Sequence, residues 1–313
     1  MRDRRRARPR LLASLLMAAA PCAGWAQSLD WQTVSSTDRS ALRSALEIGA
    51  EDTLPLFACR VQVGSGVQTG RYRADFDGCH VGYAGKEVSV SPFEVLAAAW
   101  QDGADGSVPA GSFPGGVRVV PTSVGNFRLT PSFPCRASYQ GNVQVGEIAA
   151  GDRGCVFGFG GRQVTKPHYQ VLWQAPWMSW VPGIMHQIPR GAVPGGWEGG
   201  EAFYLCRASD HAGLHVGKLK QSLQGCSFAS EGEEVVSTLF NVLAPRWVDG
   251  NAGTIPGAAL PAGRDRDALI YLCRAQVRNT VQIGRIADQL VSCQFGMLGS
   301  ETSSSSYEVL SAR

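Results

Sequence analysis

The sequence predicts an all-β fold made of four short antiparallel repeats with one disulfide bond in each repeat. Three observations lead to this prediction. Eight of the cysteines form four successive pairs, and the two members of every pair lie 20 positions apart. The motifs around each pair recur in the same order, which indicates an internal repeat. Short runs of alternating apolar and polar residues are separated by glycine and proline, as in β-strands joined by turns.

The repeats are predicted to span residues 31–96, 100–172, 180–243 and 247–310. Each begins near a tryptophan, continues through a Pro/Gly-rich segment, and closes with an aromatic residue, one polar residue and Val-Leu. The first cysteine and the final leucine are 37 residues apart in every copy. Repeat 2 carries nine additional residues around Pro121 to Pro131. Because a unit of this size has a small core of its own, we expect the repeats to pack in pairs.

The strand at the first cysteine shows the clearest alternation. In repeat 1, Phe57, Cys59 and Val61 would share one face of a strand, with Arg60 on the other. Further strands are predicted before the glycine that lies eleven positions after each first cysteine, at the second cysteine, and at the closing motif. Only residues 38–46 have a composition compatible with a helix.

The four cysteine pairs are interpreted as disulfide bonds within the repeats. An even set of cysteines at fixed spacing is typical of disulfides in an exported protein, and no Cys-x-x-Cys motif indicates a zinc or thioredoxin-like site. Each closed loop is expected to stabilise the fold by roughly 3 kcal/mol. The alternative is a pair of buried free thiols in each repeat. The predicted bonds are Cys59–Cys79, Cys135–Cys155, Cys206–Cys226 and Cys273–Cys293.

The first 26 residues have the pattern of a secretory signal peptide. Basic residues precede the apolar run from Leu11 to Ala20, and small residues then lead to Ala26. This order predicts export with cleavage near Ala26, which would also remove the ninth cysteine, Cys22. The apolar run is too short to cross a hydrocarbon core of ~30 Å, and no later segment is apolar enough. We therefore expect a secreted or periplasmic protein without stable membrane insertion.

The charge distribution argues against a nucleic-acid partner. The chain has 29 Lys+Arg and 26 Asp+Glu, a formal net charge of +3. Residues 1–10 contribute +5 of this, from six arginines and one aspartate, so the remainder carries −2. A weakly acidic body lacks the positive surface that phosphate contacts require. We predict no nucleic-acid binding.

The motifs of repeat 3 carry a resemblance to a known family. From Trp180 the chain runs through Pro189-Arg-Gly-Ala-Val-Pro-Gly-Gly196, then Tyr204-Leu-Cys-Arg-Ala208, Gly217-Lys-Leu219 and Gly232-Glu-Glu234. This combination resembles the DM-nine repeat family, which includes secreted mannose-binding lectins, and the likeness extends over nearly all of residues 31–310. The resemblance implies an all-β fold in which two repeats form a pseudo-symmetric pair, with one sugar site in each repeat.

By the same resemblance, two positions in each repeat would contact sugar hydroxyls: an acid shortly after the Pro/Gly segment, and a cation after the later glycine. A carboxylate accepts hydrogen bonds from hydroxyls and a cation donates to them. Repeat 3 matches best, because Trp197 beside its acid could add an apolar platform for a sugar ring. The candidate residues are Glu198, Lys218 and Trp197 in repeat 3, Asp265 and Arg285 in repeat 4, and Glu51 and Arg71 in repeat 1.

A cross-strand ion pair is the alternative interpretation of these positions. In repeat 2 the charges are reversed, with Arg118 at the acid position and Glu147 at the cation position. A swapped pair preserves a salt bridge but not a geometry that recognises hydroxyls. Repeat 2 is therefore not expected to bind sugar in the same way.

An arginine directly follows the first cysteine of every repeat, at Arg60, Arg136, Arg207 and Arg274. We interpret it as a structural residue that pairs with the acid or amide 28 positions after that cysteine, rather than as a ligand contact. The predicted partners are Glu87, Gln163, Glu234 and Glu301.

The predicted function is that of a secreted, carbohydrate-binding, lectin-like repeat protein without catalytic activity. The five histidines are scattered, and no serine lies in a nucleophile-elbow motif. Each repeat offers an acid opposite a base rather than the two carboxylates of a glycosidase. We expect a mannose-type glycan as partner, consider a homodimer possible, and predict no metal or cofactor. The alternative is a structural or protein-interaction scaffold of the cell envelope with no sugar ligand.

Overall fold

The computed structural model describes residues 29–35, 37–51, 54–173, 175–185 and 187–312. The predicted signal peptide and its cleavage site, with Cys22, lie outside these residues. The described chain consists of β-strands and one short 3₁₀ turn, Ser40–Arg43, within the segment expected to be helical. The all-β prediction is confirmed.

Each of the first two repeats contributes seven strands. The strands of repeat 1 are β1 (Asp30–Val34), β2 (Glu47–Glu51), β3 (Leu54–Val63), β4 (Gly66–Tyr72), β5 (Cys79–Tyr83), β6 (Lys86–Val90) and β7 (Phe93–Ala97). The strands of repeat 2 are β8 (Trp100–Ala104), β9 (Gly116–Ser123), β10 (Asn126–Tyr139), β11 (Asn142–Ala149), β12 (Cys155–Phe159), β13 (Arg162–Lys166) and β14 (His168–Leu172).

Repeats 3 and 4 follow the same plan. The strands of repeat 3 are β15 (Met178–Gly183), β16 (Pro194–Glu198), β17 (Glu201–Asp210), β18 (Gly213–Leu219), β19 (Cys226–Ser230), β20 (Glu233–Ser237) and β21 (Phe240–Pro245). The strands of repeat 4 are β22 (Trp247–Asn251), β23 (Pro261–Asp265), β24 (Ala268–Val277), β25 (Thr280–Ile286), β26 (Cys293–Met297), β27 (Ser300–Ser304) and β28 (Ser306–Leu310).

Repeat 1 pairs with repeat 4 and repeat 2 pairs with repeat 3, and each pair forms one 14-stranded sheet. The 1/4 sheet has the order β1-β7-β3-β2-β25-β26-β27-β6-β5-β4-β23-β24-β28-β22. The 2/3 sheet has the order β15-β21-β17-β16-β11-β12-β13-β20-β19-β18-β9-β10-β14-β8. Equivalent strands lie at equal distances from the two ends, so the predicted pseudo-symmetric pairs are confirmed. Three strands of each repeat lie between strands of its partner, so neither repeat completes its sheet alone.

The centre of each sheet is a contact between turns of the two paired repeats. In the 1/4 sheet the Glu87 carboxylate accepts a hydrogen bond from the Gly299 amide (2.7 Å), and Glu301 accepts one from the Gly85 amide (2.8 Å). Both glycines have a φ of +80°, which residues with a side chain rarely adopt. The corresponding turns of the 2/3 sheet make the same contact. The recurring Gly-x-Glu or Gly-x-Gln motif therefore joins the repeats.

The two sheets share one hydrophobic core to which all four repeats contribute. Representative buried residues are Leu56, Leu172, Phe203 and Leu272. The tryptophans that open the repeats pack against this core. On the other face of the cysteine strands, four smaller apolar clusters, one in each repeat, enclose the cysteines.

The four predicted disulfide bonds are confirmed. The bonded cysteines have Cα atoms 5.8 to 6.0 Å apart, and every one of them is fully buried. Each bond lies within one repeat and joins the cysteine strand to the first strand of the following hairpin. The bonds are Cys59–Cys79, Cys135–Cys155, Cys206–Cys226 and Cys273–Cys293.

Mass mapping of the non-reduced mature protein is expected to find these four bonds and no free thiol in residues 27–313. Replacing Cys206 and Cys226 together by serine should lower the free energy of unfolding by roughly 3 kcal/mol, because the unfolded chain regains the entropy of an open loop. Peptides linked between different repeats would contradict the assignment.

The recurring arginines take different partners from those predicted. The closing strand runs antiparallel beside the cysteine strand and places Glu94 directly opposite Arg60. Arg60 Nε donates to the Glu94 carboxylate at 2.7 Å, and Arg274 Nε donates to Glu308 at the same distance. Each recurring guanidinium also stacks on the tryptophan that opens its repeat, 4.4 to 4.7 Å from the ring centroid. The polar residue of the closing motif is thus the partner position in repeats 1, 2 and 4, whereas Arg207 of repeat 3 donates to the Gly115 carbonyl at 3.3 Å.

The additional residues of repeat 2 lengthen the β9–β10 hairpin. Its end exposes Val124, Phe127 and Leu129 to solvent. No helix among the described residues has the length and hydropathy that a membrane span requires.

Candidate functional site

The candidate acid and cation of each repeat flank its cysteine strand. The acid ends β2, β16 or β23, and the cation lies on β4, β18 or β25. Both strands of each set pair with the cysteine strand between them, β3, β17 or β24. Because the strand that carries the cation also pairs with a strand of the partner repeat, every candidate site lies near the junction of two repeats.

In repeat 1 the candidate pair is a closed ion-pair network. Arg71 donates to Glu51 and to Glu87, both at 2.8 Å. Arg73 donates to the same Glu51 oxygen at 2.8 Å. Since Arg71 is only 3% exposed, it supports the carboxylates from beneath and does not present donors to solvent.

In repeat 3 the candidate cation is buried at the junction with repeat 2. Lys218 is 4% exposed, and its Nζ donates to Gln144 Oε1 and to the Gly158 carbonyl, each at 2.7 Å. Glu234 lies 3.6 Å from the same nitrogen. Burial lowers the pKa of Lys218 against the opposing charges of Glu234 and Glu198. Lys218 therefore links two repeats.

Glu198 is occupied by other donors. Lys220 donates to one of its oxygens at 3.0 Å, and Gln144 donates to the other at 3.0 Å. Burial opposes ionisation of Glu198, but the hydrogen bonds from Lys220 and Gln144 outweigh it and lower the pKa of the carboxyl. Lys220, two residues after the predicted cation Lys218, is thus the lysine that pairs with the candidate acid Glu198.

Trp197 does not join Glu198 and Lys218. Neighbouring residues of a strand point to opposite faces, and Trp197 precedes Glu198 on β16. The Trp197 ring carries the Arg43 guanidinium at 5.2 Å from its centroid. It lines two clefts that include neither Glu198 nor Lys218. The three residues nominated in repeat 3 are therefore not one site.

Repeat 4 has the most open arrangement. Arg285 donates to Gln68 at 2.6 Å and to Glu301 at 3.0 Å, whereas its distance to Asp265 is 3.8 Å. Among the described residues no donor forms a hydrogen bond with the Asp265 carboxylate, whose side chain is 27% exposed. Asp265 lines a cleft of about 300 Å³ together with Tyr83 of repeat 1. The carboxylate is thus an accessible acceptor with free lone pairs.

In repeat 2 the reversed pair is an interior network. Glu147 is 1% exposed and accepts hydrogen bonds from Arg118 (2.8 Å), Ser132 (2.7 Å) and the Val216 amide (3.0 Å). His215 of repeat 3 lies 2.9 Å from the same carboxylate. The Glu147 carboxylate is thus fully engaged by internal partners.

A further polar residue in each repeat, outside the motifs considered above, completes these junctions. Nine positions after the first cysteine each repeat has a buried amide or histidine, at Gln68, Gln144, His215 and Gln282. Gln68 accepts from Arg285, Gln144 accepts from Lys218, and His215 contacts Glu147, in each case across the repeat boundary. The sequence signal for this residue was the recurrence of a polar side chain at the same position of a predicted strand in all four repeats.

His215 lies between two carboxylates. Its Nδ1 is 2.9 Å from Glu147 and its Nε2 is 3.0 Å from Asp210. Burial disfavours the imidazolium, but the hydrogen bond and charge of Glu147, with those of Asp210, outweigh it and raise the pKa of His215. Burial likewise opposes ionisation of Glu147, yet the hydrogen bond from His215 and the Arg118 charge lower the pKa of that carboxyl. Each shift therefore favours the charged form of its group.

Within the described ranges, no group of three or more histidine, cysteine, aspartate or glutamate side chains is arranged to hold a metal ion.

Comparisons with known proteins place these features in a family. The family model of the DM9 repeat matches residues 28–122, 128–237 and 198–304. No curated protein matches the chain. Among solved structures, the nematode sperm cell motility protein MFP2B matches with 11% sequence identity and a TM-score of 0.20, covering 90% of this chain and 96% of that one. Because the DM9 matches extend over most of the sequence, the chain belongs to the DM9 repeat family.

Proposed function

We propose that this protein binds carbohydrate without catalysing a reaction, and that its best site is the repeat 4 cleft at Asp265. One observation carries the proposal. Of the candidate acids, Asp265 is the one that combines solvent access, a cleft of about 300 Å³ and a carboxylate without a hydrogen bond from the described residues. Clefts of this size accommodate small ligands.

The chemistry of the cleft suits a sugar. A carboxylate accepts paired hydrogen bonds from vicinal hydroxyls, and charge-assisted bonds of this kind are stronger than neutral ones. Tyr83 adds an aromatic surface for the apolar face of a sugar ring. The exposed polar side chains of Asp267 and Gln289 line the same cleft. Arg285 stays beneath Asp265 and positions it.

The acids of repeats 1 and 3 are weaker candidates. Glu51 already accepts hydrogen bonds from Arg71 and Arg73, and Glu198 accepts from Lys220 and Gln144. A ligand there would have to displace an internal donor. In repeat 1 the alternative interpretation, a structural ion pair, is favoured by the contact of Arg71 with Glu51, and in repeat 3 Glu198 pairs with Lys220.

Export and the lectin-like role fit together. Four intrachain disulfides are typical of an oxidising compartment, which agrees with the proposed signal peptide at residues 1–26. We expect a mannose-type glycan as ligand and no nucleic-acid partner, since residues 11–313 carry a formal charge of −2. A single shallow site is expected to bind in the millimolar range, about −4 kcal/mol, so a dense glycan surface would be required for strong attachment.

A glycan array and titration calorimetry with the mature chain test the proposal. Asp265→Asn is expected to weaken binding of mannose-type glycans about ten-fold, roughly 1.4 kcal/mol, because the amide loses one charge-assisted acceptor. Asp249→Asn is the matched control, since Asp249 is an exposed acid on the edge strand of the same repeat. It should leave binding and melting temperature unchanged.

Absence of binding to every glycan on the array would exclude the lectin role and leave the envelope scaffold as the function. Binding that survives Asp265→Asn would place the sugar elsewhere on the protein.

A further inference from the structure

We propose that repeat 2 carries a separate site for an anionic saccharide, in the cleft between Arg136 and Trp197. This cleft lies outside the acid and cation positions considered so far. Repeat 2 has no accessible acid–cation pair, yet one face of its strands combines an unneutralised guanidinium with an aromatic ring. The inference does not depend on sugar binding at Asp265.

The charge at Arg136 has no directly bound counter-ion. In repeats 1 and 4 the recurring arginine is neutralised by the glutamate opposite it on the closing strand, Glu94 or Glu308. In repeat 2 the opposite residue is Gln170. Among the described residues no carboxylate lies within 4 Å of the Arg136 guanidinium, and the neutral Gln170 takes the position of the acid.

The orientation of Gln170 leaves one edge of the guanidinium free. The Gln170 Nε2 donates to Asp102 at 2.9 Å, which directs its Oε1 toward Arg136 Nε at 2.8 Å. This is the one hydrogen bond that described residues make to the Arg136 side chain. Burial lowers the pKa of the arginine to about 10, although Asp102 partly opposes the shift. A partly desolvated cation without a bound anion favours an anionic ligand.

Arg136 lines a cleft of about 890 Å³. Trp197 of repeat 3 lies on its far side, because β16 pairs with β11 at Val143. Arg136 and Ser138 share a face of β10, Val143 lies opposite Ser138, and Trp197 lies next to Val143. Lys166 also lines the cleft, so its two cations, Arg136 and Lys166, outnumber its single acid, Asp102.

No other repeat combines the two features. The residue equivalent to Trp197 is Arg264 beside repeat 1, Val117 beside repeat 3 and Ala50 beside repeat 4. Repeats 1 and 4 also retain the neutralising glutamate. Arg207 of repeat 3 also has no acid opposite it on the closing strand. The residue equivalent to Trp197 beside repeat 3, however, is the aliphatic Val117. The combination in repeat 2 is thus specific to the junction of repeats 2 and 3.

The geometry selects a sugar ring that carries a carboxylate or sulfate group. A guanidinium binds such planar or tetrahedral oxyanions through paired hydrogen bonds. Strand spacing places the Cα atoms of Arg136 and Trp197 about 12 Å apart. An oligosaccharide could therefore place its anionic group on Arg136 and stack another ring on the indole, whereas a small inorganic anion could not reach both.

Titration calorimetry with the mature protein compares cellobiouronate with neutral cellobiose, and adds glucose 6-sulfate as a second anionic probe. We expect at least one of the two anionic sugars to bind ten-fold or more tightly than cellobiose. The anionic sugar that binds more tightly identifies the preferred anionic group, carboxylate or sulfate. Gln170→Glu should reduce that binding to the level of cellobiose, because it restores the ion pair found in repeats 1 and 4. The melting temperature should not fall, since the same pair is accommodated at Arg60 and Arg274.

Three further variants, and Asp265→Asn from the repeat 4 site, complete the test. Trp197→Ala should weaken the binding of cellobiouronate several-fold, and Glu308→Gln, the matched change in repeat 4, should leave it unchanged. Arg136→Gln offers a second way to remove the charge should Gln170→Glu fail to fold. Equal binding of charged and neutral sugars by the wild-type protein, or full binding by folded Gln170→Glu, would overturn the proposal. Asp265→Asn is expected to retain anionic binding, which separates this site from the one in repeat 4.

Discussion

Replacing Glu147 by glutamine is expected to lower the free energy of unfolding by about 3–5 kcal/mol, the cost of removing one member of a buried charge network. Glu147 is 1% exposed and is the acceptor for Arg118, Ser132 and the Val216 amide. An isosteric amide would keep the volume but lose the charge that balances Arg118 and His215. The melting temperature should fall on the order of 10 °C.

The pH dependence of this loss follows from the shifted pKa values. The pKa of His215 is raised in the folded protein. Its contribution to the free energy of unfolding is therefore fully present below the ordinary pKa of 6.5, and it is lost as the pH rises through the pKa of the folded state. The pKa of Glu147 is lowered in the folded protein. Its contribution to the free energy of unfolding is therefore fully present above the ordinary pKa of 4.5, and it is lost as the pH falls through the pKa of the folded state. The difference in the free energy of unfolding between wild type and Glu147→Gln should therefore be largest between pH 4.5 and 6.5.

Thermal unfolding across this pH range is the measurement, and the chain provides a matched control. His211 and Glu231 form a histidine–glutamate pair at 2.9 Å on the surface, with side chains 74% and 66% exposed. Glu231→Gln should change stability by about 0.5 kcal/mol or less, since solvent screens exposed pairs. A similar small effect of Glu147→Gln would show that the buried network does not hold repeats 2 and 3 together.

The repeat pattern was enough to predict the fold class and the disulfides. Cysteine spacing, strand alternation and the small size of one unit led to an all-β fold in pairs, and the structure has both. Which repeats pair could not be predicted, because all four carry equivalent motifs. The pairing of 1 with 4 and 2 with 3 depends on contacts between distant strands, such as β2 with β25, that no local pattern encodes.

The candidate acid and cation form a close ion pair in repeats 1 and 2, but in repeat 3 Glu198 pairs with Lys220 and not with Lys218. Sequence spacing placed Glu51 beside Arg71, and these side chains do meet at 2.8 Å. Burial of the cations could not be foreseen, since in repeats 3 and 4 they contact residues of the partner repeat, Gln144 and Gln68. The arginine partners were misassigned for a related reason. The closing strand, not the Gly-x-Glu or Gly-x-Gln strand, lies beside Arg60, and only the sheet register reveals this.

Lys218→Met is expected to destabilise the protein by about 2–4 kcal/mol. The methionine retains most of the buried stem, so little packing is lost. The change leaves the Gln144 Oε1 and the Gly158 carbonyl, both in repeat 2, without their donor. Each buried acceptor left unpaired costs about 1–3 kcal/mol. Glu234, 3.6 Å from the ammonium, loses its counter-charge as well.

Lys220→Met is the matched control, two residues further along the chain. Lys220 pairs at 3.0 Å with Glu198 and at 3.8 Å with Glu201, side chains that are 28% and 35% exposed. Removing this pair should cost about 1 kcal/mol or less. Chemical denaturation of both variants provides the comparison. If Lys218→Met kept wild-type stability yet lost glycan binding, Lys218 would be a sugar donor after all. A large loss of stability with glycan binding retained would establish that the cation holds repeats 2 and 3 together.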